Sequence, residues 1–157
     1  MVDFENDSSD GSNHGLSYSL SYDSTYSVDD LRNIIETLRA PGGCPWDIQQ
    51  THLSIKGNLL EEASEAAEAI EEGDAGHLCE ELGDVLMQVV FHADISEKAG
   101  GFTFDDITDM VCRKLIRRHP HVFGDVKVGS VDEVLANWED IKREEKAQAS
   151  AYRELEK

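Results

Sequence analysis

Glu62 with Glu65 and Glu81 with Asp84 are two pairs of carboxylates at i,i+3 spacing, each set in a stretch with the apolar period of a helix. Helical residues three apart point the same way, so two such helices packed antiparallel aim four carboxylates at one spot. Like charges brought that close need a cation between them. All four donors are hard oxygens with no His or Cys among them, which suits Mg2+ or Mn2+ better than zinc or copper. The spacing alone has a second reading: Glu is a good helix former, and Glu pairs three apart are common on solvated faces of acidic chains. Asp84 favours the metal. It stands between Leu82 and the run Val85, Leu86, Met87, Gln88, Val89, Val90, Phe91. A helix apolar nearly all round is a buried helix, and a buried carboxylate is costly unless paired, hydrogen-bonded or metal-bound. Gln88 and His92 extend the same polar edge.

The elements that must position these residues are helices. The first pair falls on a helix expected over residues 53–72, whose stripe is Leu59, Ala63, Ala66, Ala67 and Ile70 and which Gly73 closes. The second falls on a helix from after Asp74 and Gly76 to about Lys98, with Leu78, Leu82, Val85, Leu86, Val89 and Ala93 as its stripe. On each helix the carboxylates are expected to flank the core face. Upstream, Ser27 caps a short helix through Leu31, Ile34, Ile35 and Leu38 that stops before Pro41. Trp46, just past the next turn, is expected to pack that helix onto the bundle. Downstream, Thr103 and Asp106 have the spacing of a capping box, and Pro120 ends the helix they open. A loop is expected over residues 121–129. Ser130 with Glu133 then opens a last helix holding Val134, Leu135, Trp138 and Ile141. No segment makes a convincing strand, so the expected fold is an all-α helical bundle.

Three segments are expected. Residues 1–26, rich in Ser, Asp, Asn, Gly and Tyr, cannot bury enough surface to offset their ordering entropy and read as a disordered tail. Residues 27–146 form the domain, and 147–157 a frayed, charged helix end. At 157 residues one domain with a real core is expected. The formal charge of −19 and the pI near 4.4 argue against duplex DNA or an anionic membrane as partner, since both need a positive face. Three widely spaced cysteines, Cys44, Cys79 and Cys112, indicate neither a disulfide framework nor a zinc site, and a reducing cytoplasm fits best. No stretch near the N-terminus resembles a signal segment or a membrane span.

Positive charge is rationed. Four of the fourteen basic residues, Arg113, Lys114, Arg117 and Arg118, fall within six positions. On that helix Ile107, Met110 and Val111 define the expected inward stripe, which continues onto Lys114 and Arg118. Two readings stand: buried salt bridges to Glu62 or Asp84, or a grip on phosphate. A nucleoside triphosphate needs both a metal on its oxygens and direct cations, which links the two halves of the chain. Trp138 and Lys142, four apart, offer either a stacking face with one more cation or plain core. A di-iron carboxylate bundle would need Glu-x-x-His motifs, and the chain has none.

Glu61-Glu62-Ala63-Ser64-Glu65, then fifteen residues, then Glu81-Leu82-Gly83-Asp84, resembles the E-E-x-x-E…E-x-x-D signature of MazG-type nucleoside triphosphate pyrophosphohydrolases. Cys44-Pro45-Trp46-Asp47, Gln50-Thr51-His52, Arg117-Arg118-His119-Pro120-His121-Val122-Phe123 and Trp138-Glu139 with Ile141-Lys142 resemble that family too. The likeness spans about residues 28–146. It implies an all-α bundle of the MazG-like type that assembles as a homodimer or tetramer and hydrolyses NTPs or dNTPs, with Mg2+, to the monophosphate and pyrophosphate. By that resemblance Glu62, Glu65, Glu81 and Asp84 are metal ligands, Lys114 and Arg118 contact phosphate, and Trp138 and Lys142 make further nucleotide contacts. Glu61 or Glu62 is expected to orient or deprotonate the attacking water. Many relatives carry two such domains in tandem, and this chain holds one, most like the first copy. The rival readings are a pyrophosphatase of the same fold acting on another nucleotide, and a non-catalytic nucleotide-binding or regulatory module.

Overall fold

A computed structural model describes residues 25–155, with side chains over 25–147. All but the last two residues of the expected tail, 1–26, lie outside that span, as do residues 156 and 157. Among the described residues the chain is entirely helical apart from turns: α1 Val28–Leu38, α2 Pro45–Ile48, α3 Lys56–Glu72, α4 Ala75–Lys98, α5 Phe104–Arg118, α6 Pro120–Phe123 and α7 Val131–Leu155. The all-α expectation holds. α2 and α6 are single turns, each begun by a proline at its first position, where the missing N–H costs nothing. Both fell in stretches expected to be turn or loop. α7 is continuous through the stretch expected to fray, up to Leu155.

Local chemistry fixes the helix starts. Ser27 Oγ accepts from Asp30 N at 3.2 Å while Asp30 Oδ2 accepts from Ser27 N at 2.8 Å, a complete capping box. Thr103 and Asp106 form the second box as expected, at 3.1 and 2.8 Å. Ser130 departs from the pattern: its Oγ accepts from Glu133 N at 3.3 Å, but the Glu133 carboxylate reaches back one residue further, to Gly129 N at 2.8 Å. α3 begins at Lys56, not near Leu53, because Thr51 and Ser54 trade side-chain-to-backbone bonds at 2.9 and 3.2 Å that hold the chain in a turn.

α3 and α4 are the main pair and pack along their lengths as a hairpin. Gly73 ends α3 at φ +73°, where a side chain would be strained, and donates its N–H to Ala69 O at 3.2 Å. The next residue, Asp74, caps α4 by accepting from Gly76 N and His77 N at 2.8 and 3.1 Å. α1 lies on α4, and α5 bridges α4 to α6 and α7. Ile35, Ile55, Val90 and Phe91 form the buried core, with Leu31, Met87, Ile95 and Phe104 against it.

Three expectations about burial are corrected. The buried face of α3 carries Ala66 and Ala69, with Leu59 and Glu62 half-buried along the same line, while Ala63 and Ala67 are exposed and Ile70 is 62% exposed. α4 is likewise not buried all round: Leu82 is exposed, and its most buried side chains include Glu81 and Gln88. On α5 the expected stripe is not covered within this chain, with Met110 71% exposed and Val111 also exposed. Alternating small and large apolar residues leave the rotation of such a stripe loosely defined, and the tightest packing selects the alanines.

Trp46 does not pack α1 onto the bundle either; it is 58% exposed. Arg39 does that work. Its buried guanidinium donates from Nε to Asp94 Oδ2 at 2.5 Å, from Nη1 to the Asp47 carbonyl and from Nη2 to the Gln50 carbonyl at 3.5 Å, above the Phe91 ring at 4.8 Å. One side chain thus ties α1, α2 and α4 together. Replacing it with Met should destabilise the fold by about 3 kcal/mol, because Asp94 is left buried with only Lys98 as partner. Urea unfolding checks this, and a loss under about 1 kcal/mol would show that the clamp is dispensable.

The cap bonds also hold the carboxyls of Asp30, Asp74 and Asp106 below the usual range. A carboxyl with a depressed folded-state pKa contributes stability that is present above its unfolded value, about pH 4 for Asp. That contribution is lost as pH falls through the lower folded value. Helicity followed by circular dichroism should therefore fall with acid below about pH 4, and Asp30→Asn with Asp106→Asn should flatten that limb.

Candidate functional site

The α3–α4 hairpin brings Glu62, Glu81 and Asp84 together, each offering a carboxylate oxygen within 4.8 Å of the others. Glu81 is buried, 8% exposed, and Glu62 and Asp84 are half-buried. The carboxylates therefore sit on the packed faces of the hairpin, not along their edges. Position 62 follows the buried line through Leu59, Ala66 and Ala69, which is why it faces α4. Glu65, three residues on, is exposed and stands outside the trio. Its charge still reaches both helices, since it helps raise the carboxyls of Glu62 and Glu81.

Electrostatics mark the spot as a concentration of negative potential. Burial pushes the Glu62 carboxyl up, and Asp84, Glu65, Glu81 and the exposed Glu61 push it further. Burial also raises Glu81, with Glu65 and Asp84 adding to it, while His77 works against the rise. His77 is a neighbour that spacing did not single out. Its Nε2 lies 3.2 Å from Glu81 Oε1 and its Nδ1 3.0 Å from Glu72 Oε2, and the hydrogen bond to Glu72 raises its own pKa. The i,i+4 interval from His77 to Glu81 was the available signal. The donor set fits a hard divalent cation: carboxylate oxygens converging from two helices, with no sulfur, and a charge excess that a cation would relieve.

Gln88 and His92 continue the α4 edge from Asp84 at four-residue steps. Gln88 is buried, and among the described residues its Oε1 and His92 Nε2 find no hydrogen-bond partner. His92 stacks on His52 with ring centres 5.1 Å apart, and the two Nδ1 atoms are 2.8 Å apart. Burial and the neighbouring His52 lower the His92 pKa.

A second cluster, cationic and aromatic, lies on α5 and α7. Arg118 and Lys142 stand over the Trp138 ring at 6.0 and 5.0 Å. Lys142 pairs with Glu139 at 2.9 Å. Arg118 binds Glu145 at 2.6 Å, and among the described residues no ion pair joins it to Glu62 or Asp84, so the expected salt bridge to those carboxylates is not formed. Lys114 is exposed, and among the described residues no hydrogen bond or ion pair joins this cluster to the α3–α4 carboxylates. Glu145 had little sequence signal beyond falling seven residues after Trp138, on the same helix face.

Residues 50–123 match the sequence model of the MazG nucleotide pyrophosphohydrolase domain. An uncharacterized protein of Bacillus subtilis, YabN, is 57% identical over 116 residues, which are 74% of this chain and 24% of that protein. A nucleoside triphosphate pyrophosphohydrolase/pyrophosphatase MazG of Thermotoga maritima is 50% identical over 125 residues, 80% of this chain and 48% of its own length. The chain thus spans half or less of the length of these curated relatives. The crystal structure of a mazG-related protein from Thermotoga maritima superposes with a TM-score of 0.61 at 29% identity, covering 73% of this chain and 98% of that one.

The geometry sets opposite signs for two measurements on one substitution. In the absence of divalent metal, Glu81→Gln should raise the melting temperature, because a like charge leaves the cluster. Its affinity for Mn2+, followed by electron paramagnetic resonance, should fall roughly tenfold or more. A drop in both would mean that Glu81 is needed for packing and not for a cation.

Proposed function

Because residues 50–123 place this chain in the MazG nucleotide pyrophosphohydrolase family, we propose that it hydrolyses nucleoside triphosphates to the monophosphate and pyrophosphate with Mg2+, Mn2+ being able to substitute. The observation that carries this reading is the convergence of Glu62, Glu81 and Asp84 on one point of the α3–α4 hairpin. Glu62, Glu81 and Asp84 would hold the cation, with Glu65 one step outside to complete the set. Bound there, Mg2+ would screen the phosphate oxygens and stabilise the charge that develops on them. Lys114 and Arg118 would grip phosphate, and Trp138 and Lys142 would make the further nucleotide contacts.

Glu62, or Glu61 beside it, would orient the attacking water and take its proton as the α–β anhydride breaks. In the metal-free site burial and acidic neighbours raise the Glu62 carboxyl above the ordinary range, and a cation bound there would hold it ionised and able to accept a proton. The cytoplasm is the compartment we assign. Housecleaning of unwanted nucleotides, or control of nucleotide pools, is the role consistent with that reaction.

The assembly we assign is a homodimer or tetramer. Met110, Ile116, Val122, Phe123, Val131 and Leu135, on α5, α6 and α7, are all exposed in the single chain, apolar surface that a second copy would cover. Light scattering on the purified protein checks this, and a monomer at micromolar concentration would refute it.

The reaction is tested by incubating the protein with Mg2+ and a panel of NTPs and dNTPs while pyrophosphate and orthophosphate are measured separately. Pyrophosphate in equal amount with monophosphate is expected, with Glu62→Gln and Asp84→Asn each slowing turnover roughly a hundredfold or more. Orthophosphate would mean that a different bond breaks. Tight binding without product would favour a regulatory nucleotide-binding module.

A further inference from the structure

Glu145 takes the strongest set of charge-assisted contacts on the α5–α7 side of the molecule. Arg118 donates to it from Nη2 to Oε2 at 2.6 Å and from Nε to Oε1 at 3.4 Å. Arg117 brings Nη2 within 2.6 Å of Oε1 and donates from Nε to the same oxygen at 2.8 Å. The Glu145 side chain is 17% exposed and that of Arg118 21%, so the pair is largely withdrawn from solvent. The two arginines hold the Glu145 carboxyl below its usual range, and Glu145 raises the Arg118 guanidinium.

The contacts use one edge of the Arg118 guanidinium, Nε and Nη2. A planar guanidinium has a second edge, made by its two terminal nitrogens, which can meet an oxyanion side-on. Holding the first edge fixes the plane and directs the second. Trp138, Lys142 and Glu145 sit at intervals of four and three on α7, hence on one face. That face gives Arg118 an aromatic surface at 6.0 Å and an anchor together. Glu145 also lies between two arginines that are adjacent in sequence and would otherwise repel each other.

We propose that Glu145 is a positioning residue for the reaction, holding Arg118 so that its free edge meets the phosphates of the nucleoside triphosphate. This rests on the proposed hydrolysis and on Arg118 as a phosphate contact. Glu145 touches no reacting atom; it acts through the guanidinium. The two contacts from Arg118, one of them at 2.6 Å, also argue against Glu145 as a lid that phosphate displaces, since arrival of substrate would then have to break both.

The experiment measures kcat and KM for a nucleoside triphosphate with Mg2+ on the full chain, alongside calorimetric affinity for inorganic pyrophosphate with Mg2+. The variants are Glu145→Gln, Glu145→Asp and Arg118→Ala. Glu145→Gln should raise KM and weaken pyrophosphate binding about tenfold, the scale of one charge-assisted hydrogen bond, with kcat within about twofold and Mn2+ affinity at the carboxylates unchanged. Glu145→Asp, which keeps the charge on a shorter arm, should recover part of the loss and serves in place of the Gln variant if that one unfolds. If Arg118→Ala raises KM and neither Glu145 variant does, the positioning role is overturned while Arg118 as a phosphate contact stands. If Arg118→Ala leaves KM and pyrophosphate affinity unchanged, that contact fails and the proposal fails with it. A lower KM in Glu145→Gln would make Glu145 a competitor of phosphate and would also overturn it.

Discussion

Repulsion among carboxylates that share the packed face of one helical hairpin is the constraint around which the molecule is arranged. Glu62 on α3 and Glu81 and Asp84 on α4 could have been turned to solvent, where each charge would be hydrated. They are instead held together by Ala66 and Ala69, whose small side chains let the two helices approach closely. The turn that makes this geometry is short and locally determined: Gly73 in the left-handed region, then Asp74 capping the next helix. Burial and like charge both raise the carboxyls of Glu62 and Glu81. That repulsion is what the proposed cation would relieve.

The rest of the chain sorts charge around the hairpin. Among the described residues Arg39 is the one strongly buried cation, neutralised by Asp94 and hydrogen-bonded by backbone carbonyls at the α2 turn. The other concentrated cations stand on α5 and α7, where Glu145 and Glu139 partner them. The carboxylates proposed for a metal and the guanidinium groups proposed for phosphate thus occupy different elements. In a chain of net charge −19, that separation keeps the cations from collapsing onto the α3–α4 carboxylates.

Much of this was legible in the sequence, and the failures share a cause. Capping at Ser27 and Thr103, closure at Gly73 and the helical class all depend on interactions within four residues, which spacing records. The rotation of α3 about its axis does not: Ala63, Ala66, Ala67, Ala69 and Ile70 fill several faces, and contact with α4 decides which is buried. Met110 and Val111 read as core because an apolar stripe signals burial without saying whether the covering surface belongs to the same chain. Arg39 and Glu145 find their partners 55 and 27 residues away, so nothing near them in sequence announces the role. Trp46 misled for the opposite reason, since a large ring beside a turn suggests packing, while the Arg39 guanidinium holds the turn through the Asp47 and Gln50 carbonyls.

The chain has two tryptophans, and the fold places them in opposite surroundings. Trp46 projects from a one-turn helix into water, while Trp138 lies beneath the guanidinium of Arg118 and the ammonium of Lys142. Indole emission responds to nearby charge, so the first gives a steady, water-relaxed background and the second a signal tuned by two cations. The protein carries an intrinsic optical probe on the α5–α7 face, with no label required.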